Sequence, residues 1–467
     1  LWERRVRREL FELAWHRRAA AGDAMIASLP AADASAQREA VARGDTTAVA
    51  LATTYLDAIG TAQASINAFI ALDRERTLAE ARASDAHRAA HGARPLEGLA
   101  IAVKDNLDAA GWRTTAGMGT RRDAPVAQRD SAAVARLRTA GAVILGKLNL
   151  HEAALGADND NPHFGACHHP RRHGVTPGGS SGGSGAAVAG ALCSVALGTD
   201  SMGSVRIPAS YCGVFGLKPT WGAISPRGSV VVSRRLDHVG VLARSARDLG
   251  LLLPALAGFD AACAESRAVV FAPPSTGPLR IGVPALDGIE LQPAVRDAFA
   301  RGLDALRARG HGIVDLPASR IEPGRARRAG LLVCEAEMLV EHAADWATHR
   351  ERFSPTLAKM LAWAAGKSAA DFAAADRVMD EAAVQLQQWL DACDVLAWPT
   401  TPQVAFAFGT PAPANQADLT CFGNMAGVPA LSLPLPVGAD DWPVGMQLIG
   451  RAGDDLRLVA LAHELTA

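Results

Sequence analysis

The chain has 467 residues, of which 49% are hydrophobic and 20% charged, with a formal net charge of -1. That composition can bury a large core, and the near balance of charge excludes a basic nucleic-acid groove or an attraction to anionic membrane surfaces. The expected partner is a small molecule, with no nucleic acid and no membrane, and a homodimer is compatible with the sequence.

The first stretch, "LWERRVRRELFELAWHRR", sets Trp2, Val6, Leu10 and Leu13 at helical spacing among arginines, which predicts an amphipathic helix in an N-terminal extension over residues 1–35. Three glutamates and no serine argue against a transit peptide. No apolar run reaches the roughly 18 residues of a membrane span. Seven cysteines are scattered without a C-x-x-C pair, so the expectation is reduced thiols in a cytoplasmic protein.

Residues 36–90 are Ala-rich with helical period. "LEGLAIAVKDNLD" then turns apolar and strand-like up to Lys104, and "AAVARLRTAGAVILGKLNL" reads as helix, turn and strand. Strand-like runs return at "LCSVALGTD", "PLRIGVPA" and "DVLAWPT". The alternation predicts an α/β fold with a large, mostly parallel central sheet covered by helices on both faces. Residues 322–392 are almost continuously helical and are expected to cap one side of a single domain spanning 36–467.

The most informative stretch is "GVTPGGSSGGSGAAVAG", residues 174–190, with five glycines and three serines between positions 178 and 185. No lysine follows them, so the phosphate-binding P-loop pattern fails, and G-x-G-x-x-G cannot be threaded through them. Gly178–Gly182 does satisfy G-x-S-x-G, but the polar, Pro-broken "CHHPRRHGVTP" before it supplies no strand for a nucleophile elbow. His168, His169 and His173 lack a second set of ligands at metal-binding spacing. The remaining reading pairs the serines with Ser204 in "LGTDSMGSVRIPASYCGVFGLKPT". Two hydroxyl-bearing loops flank one short helix and one strand, so Ser180 and Ser204 can meet at one end of the sheet. The base available to them is Lys104, at the exit of an apolar run. A lysine titrates at about 10.4 in water and becomes a base near neutrality when desolvation disfavours its ammonium form.

"GGSSGGSGAAVA", "GTDSMGSVRIPASYCGVFGLKPT", "AIAVKDNLD" and "NPHFGACHHP" together resemble the amidase signature family. The resemblance is dense over residues 96–226 and returns at "DVLAWPTTP" and at "NMAGVPALSLPLP" with "WPVGMQLIGRAGDDLRLVALAHEL". It implies a Ser-cisSer-Lys triad without cofactor or metal: Ser204 as nucleophile, Ser180 as bridging serine after a cis Gly179–Ser180 bond, Lys104 as base. It further implies an oxyanion loop of Ser201, Met202, Gly203 and Ser204, with Ser181, Asp200 and Arg206 in support. Met202 departs from the Gly-Gly usual before the nucleophile. The implied activity is hydrolysis of a small carboxamide, carbamate or ester through an acyl-enzyme. The glutamine-hydrolysing component of a tRNA-dependent amidotransferase is an alternative, and a non-catalytic binding member is another. The cleft walls are expected from residues 322–392 and "GADNDNPHFG", and Trp112 and Met118 either line the cleft or pack.

Overall fold

The computed structural model describes residues 31–275, 277–438 and 440–466. The amphipathic helix expected around residues 2–13 lies outside them. The helix Ala34–Arg43 crosses the expected boundary at residue 35. It is tied to the body, because Ser35 donates from both N and Oγ to Asp248 Oδ1, at 2.8 and 2.9 Å.

Among the described residues eleven strands form one sheet: β1 (Phe69–Ala71), β2 (Ala100–Lys104), β3 (Val143–Leu148), β4 (Val195–Asp200), β5 (Phe215–Lys218), β6 (His238–Ala243), β7 (Arg280–Pro284), β8 (Gly312–Leu316), β9 (Val395–Pro399), β10 (Ala430–Pro434) and β11 (Gly445–Ile449). Their order is β1-β3-β2-β4-β6-β5-β10-β11-β9-β7-β8. The sheet is mixed, as expected, but the parallel majority is corrected: β3-β2-β4 and β9-β7-β8 are parallel, whereas the pairings from β4 through β6, β5, β10 and β11 to β9, and of β1 with β3, are antiparallel. The reason is local. No helix intervenes between β5 and β6 or between β10 and β11, and strands joined without a crossover helix return antiparallel.

Both faces of the sheet are covered. In β2, Ile101 and Val103 join one core cluster while Ala100 and Ala102 join another, and β4 divides Val195 and Leu197 from Ala196 in the same way. That is the period of two by which a strand presents alternate faces. The alanine face receives the helix Gly182–Ala189, whose Ala186, Ala187 and Val188 share its cluster. Close approach explains the glycines: a Cβ on Gly183 would collide with the carbonyl of Asn149 and lie 2.6 Å from that of Ala68. Residues 322–392 fold as Pro323–Glu341, Ala343–Thr348, Pro355–Ala365 and Ala369–Ala392, joined by a short 3-10 turn and loops.

Candidate active site

Lys104, the last residue of β2, is fully buried on the face that carries the Gly182–Ala189 helix. Its Nζ donates to Ser180 Oγ at 2.8 Å, to Thr199 Oγ1 at 2.9 Å and to the Thr199 carbonyl at 3.4 Å. Asn106 Nδ2 also donates to Thr199 Oγ1, at 3.0 Å. Burial lowers the Lys104 pKa to about 7, against an upward pull from the charges of Asp200 and Asp237. The lysine has hydroxyls for neighbours and no carboxylate in contact, the setting in which an amine is shared between its two protonation states near neutrality.

The Gly179–Ser180 peptide bond is cis. The Ser180 carbonyl accepts from His151 N at 3.1 Å. Ser181 joins the two serine loops: its N–H donates to the Ser204 carbonyl at 3.1 Å, and its hydroxyl donates to the Thr199 carbonyl at 3.1 Å. No strand precedes Ser180, and its hydroxyl faces a lysine, so the nucleophile-elbow arrangement is absent from this loop.

Asp200 ends β4 and organises the turn that carries Ser204. Its carboxylate accepts from Gly203 N at 2.6 Å and Val205 N at 3.1 Å, and it forms a two-pronged ion pair with Arg206 at 2.8 and 3.0 Å. Burial works against the ionised form, yet the Arg206 guanidinium, the Lys218 charge and the Asn424 amide hold this carboxyl well below the usual range. This corrects the expected oxyanion loop. The Gly203 N–H is turned into Asp200 and is not free for an oxyanion, while the N–H groups of Ser201, Met202 and Ser204 have no acceptor among the described residues. Thr420 Oγ1 holds the far side of the loop by donating to the Met202 carbonyl at 2.5 Å.

Ser204 is half-buried and opens on a cavity of about 210 Å³ that Ser201 and Met202 also line. Gly156 and Ala157 supply part of the wall, and Arg327, Leu331, Cys334 and Met360 supply more, as the sequence led us to expect of those two regions. Trp112 and Met118 are packed in the main core cluster and do not line it. The His168 and His173 rings lie with their centroids 3.8 Å apart, tilted by 39°, and His169 Nε2 meets the Tyr211 carbonyl at 2.9 Å. Three features were missed in the sequence. Thr199 sits in the quoted "LGTD" run but carries no motif of its own. The wall at Pro413, Ala414, Gln416 and Ala417 comes from a loop without regular pattern. Arg327, the single charged residue among those lining the cavity, is one of three arginines in "GRARRAG", and only the helix face of Leu331 and Cys334 distinguishes it. Its Nε donates to Asp418 Oδ1 at 2.6 Å.

The mixed sheet, with a buried lysine and two serine loops at its edge, is the architecture of an amidase-type hydrolase. The family model described as Amidase matches residues 50–459, and the chain belongs to that family. It is 36% identical to the A-type component of the glutamyl-tRNA(Gln) amidotransferase of Ralstonia nicotianae, over 91% of this chain and 94% of that protein. Among solved structures it is similar to an s-triazine catabolic enzyme described with a vestigial protein complex, at 34% identity and TM-score 0.86 over 93% of this chain and 98% of that one. It is also similar to a 6-aminohexanoate cyclic dimer hydrolase, at 29% identity and TM-score 0.83 over 93% of this chain and 96% of that one. Among the described residues, no helix is long and apolar enough to cross a membrane.

Proposed function

We propose that the chain hydrolyses a small carboxamide bearing a carboxylate, with glutamine as the first candidate, through an acyl-enzyme on Ser204. Ser204 Oγ attacks the amide carbon and passes its proton to Ser180, whose own proton goes to Lys104. The tetrahedral intermediate collapses as the relay runs back and protonates the departing nitrogen, and a water then releases the acid by the same route. This is serine-nucleophile logic with lysine as base and one hydroxyl inserted between them. The backbone N–H groups of Ser201, Met202 and Ser204 are the oxyanion donors in this reading. Ser181 and Asp200 with Arg206 hold the two loops. The intact lysine and both serines speak against a non-catalytic member.

One observation carries the choice of substrate class: among the described residues, Arg327 is the only charged side chain on an otherwise largely apolar wall around Ser204. A guanidinium in a partly dehydrated cavity selects a carboxylate through paired, charge-assisted hydrogen bonds. The glutamyl-tRNA(Gln) amidotransferase components at 36–37% identity support glutamine within that class. The second reading, a stand-alone amidase for small apolar amides, is favoured by the apolar remainder of the wall and by the 6-aminohexanoate cyclic dimer hydrolase among the solved neighbours.

The test is ammonia or amine release from glutamine, other carboxylate-bearing amides, their neutral counterparts, carbamates and esters, with Ser204→Ala as control. We expect a carboxylate-bearing amide to be preferred over its neutral counterpart by about tenfold or more, and Arg327→Met to erase the preference, as loss of a charged hydrogen bond of about 1.5–3 kcal/mol would. A preference for neutral aryl or alkyl amides that survives Arg327→Met would instead establish the second reading.

A further inference from the structure

Ser201 heads the candidate oxyanion loop and stands on the cavity wall. Its hydroxyl turns away from the cavity and donates to Asp237 Oδ1 at 2.6 Å. The same carboxylate accepts the N–H of Ser233 at Oδ1, 3.1 Å, and of Val232 at Oδ2, 2.9 Å. Leu236 N and Asp237 N both donate to the Ser233 carbonyl, at 3.2 and 2.9 Å, so residues 232–237 form a closed turn around this carboxylate. Val232 is itself part of the cavity wall. One side chain thus fastens together two walls that arrive from different parts of the chain.

The loop hangs from four side chains among the described residues: Asp200, Thr420, Asn424 and Asp237. Asp200 holds it at Gly203 and Val205, and Thr420 holds the carbonyl of Met202. Between β4 and Met202 the side-chain tether is the Ser201–Asp237 bond. The peptide unit before Ser201 is held at its carbonyl, because Asn424 Nδ2 donates to the Asp200 carbonyl at 2.9 Å; the unit after it carries the Met202 N–H, which finds no acceptor among the described residues, so its orientation depends on the Ser201–Asp237 tether. Among the described residues no cation pairs with Asp237. Glu337 faces the same turn by accepting from Ser233 Oγ and Arg234 N, Arg234 is paired with Glu265, and the charge of Lys104 is felt from the far side. The three donors that this carboxylate accepts from, one hydroxyl and two backbone N–H groups, all belong to the protein.

We propose that Asp237 is a positioning residue of this site: through the Ser201 hydroxyl it fixes the direction in which the Met202 N–H points, and with it the stabilisation of the oxyanion. The proposal rests on the reading of Ser204 as nucleophile given above. It predicts an effect on the bond-forming step and little on ligand binding, because donors aimed at developing charge act chiefly in the transition state.

The experiment uses the full chain and a fluorophosphonate probe, which needs no knowledge of the natural substrate. Attack forms the Ser204 O–P bond and breaks P–F. Fluoride leaves, the serine proton passes to the relay, and the phosphoryl oxygen occupies the oxyanion position. We expect Ser201→Ala and Asp237→Asn each to slow the inactivation rate constant about ten- to hundredfold, less than the ~10²–10³ lost with a whole oxyanion donor. The probe's reversible binding constant should stay within about threefold. The double variant should be no slower than the slower single variant, since both remove one interaction. Ser201→Thr, which restores a hydroxyl, should recover most of the loss. Asp237→Asn disturbs the turn and is exposed to misfolding. Ser201→Ala leaves both backbone bonds to Asp237 in place and carries the test alone if circular dichroism shows the other unfolded. Labelling of Ser201→Ala at the unsubstituted rate, or multiplicative losses in the double variant, would overturn the proposal. Absence of any adduct on Ser204 in the unsubstituted chain would overturn the underlying reading, and the proposal with it.

Discussion

In the proposed mechanism, the ordinary cost of burying the Lys104 amine becomes the means of obtaining a base. Its ammonium form loses water and gains three oxygen partners, none of them a carboxylate, and burial brings its pKa to about 7. The free-base fraction therefore grows as pH rises through 7, and kcat/KM for any substrate should climb on the same limb. Lys104→Arg cannot deprotonate in this range and should lose at least about a thousandfold in turnover, comparable to loss of a triad member. A pH–rate profile of the native chain and assays of the variant check both. A flat profile between pH 6 and 8 would count against lysine as base. Lys104 was legible in the sequence because an apolar run ends on it, and the two serines because hydroxyls and glycines concentrate in two loops. Gly203 was misassigned for a physical reason: sequence shows which N–H groups a loop contains but not which of them a neighbouring carboxylate has already taken, and Asp200 takes this one.

The helix Pro323–Glu341 shows how an element sets the shape of the cavity. It presents Arg327, Leu331 and Cys334 to the cavity at spacings of four and three, one helical face. Gly330 lies beside that face, and a Cβ there would sit 2.6 Å from Met202 Sδ and 3.0 Å from Met425 Cε. Met202 both lines the cavity and packs against this glycine. Both atoms that a new methyl would touch are the ends of flexible side chains, which can move. Gly330→Ala should therefore drive the Met202 thioether into the cavity and lower kcat/KM for bulky acyl groups about tenfold relative to small ones, the effect of roughly 1.4 kcal/mol of steric cost. In a Met202→Gly background the same change should instead be accepted and raise stability by up to about 1 kcal/mol, the helix propensity of alanine over glycine. Acyl-size profiles and melting temperatures of the single and double variants check the pair, and an identical response in both backgrounds would uncouple them. The helical middle itself was legible from its period. Its contact with the loop that carries Ser204 was not, because a Met–Gly contact leaves no pattern in either segment.

Across the whole molecule, the segments that carry the family resemblance, separated by more than two hundred residues, converge on Arg206. The helix Arg206–Cys212 begins there, and the fully buried guanidinium donates to Asp200 at the end of β4, to the Thr420 carbonyl at 2.8 Å, to Asn424 Oδ1 at 2.5 Å in the helix Cys421–Met425, and to Gln447 Oε1 at 2.5 Å in β11. The alternation of strand-like and helical runs made a large α/β sheet legible. It could not show that β10 and β11 return antiparallel beside β5, which is what brings residues 420–447 to the loop that carries Ser204. A buried charge so fully paired is costly to orphan. Arg206→Met should destabilise by about 3–5 kcal/mol, because Asp200 is left ionised and unpaired in the interior. Asp200→Asn should be of similar size and should also replace the acceptor of Gly203 N or of Val205 N by an NH2 donor, so its loss of fluorophosphonate labelling should exceed that of Arg206→Met at matched folded fraction. The double variant should lose less than the sum of the singles, since neither charge is then stranded. The pH dependence follows in sign. The Asp200 carboxyl is depressed in the folded state, so the stability it contributes is present above its unfolded pKa of about 3.9 and is lost as pH falls through the folded value. The stability gap between the native chain and Asp200→Asn should accordingly be constant from pH 8 to 5 and shrink below about pH 4. Urea midpoints across that range measure it, and a gap below about 1 kcal/mol at pH 7, the size of an exposed ion pair, would show that this network does not hold the halves of the sheet together.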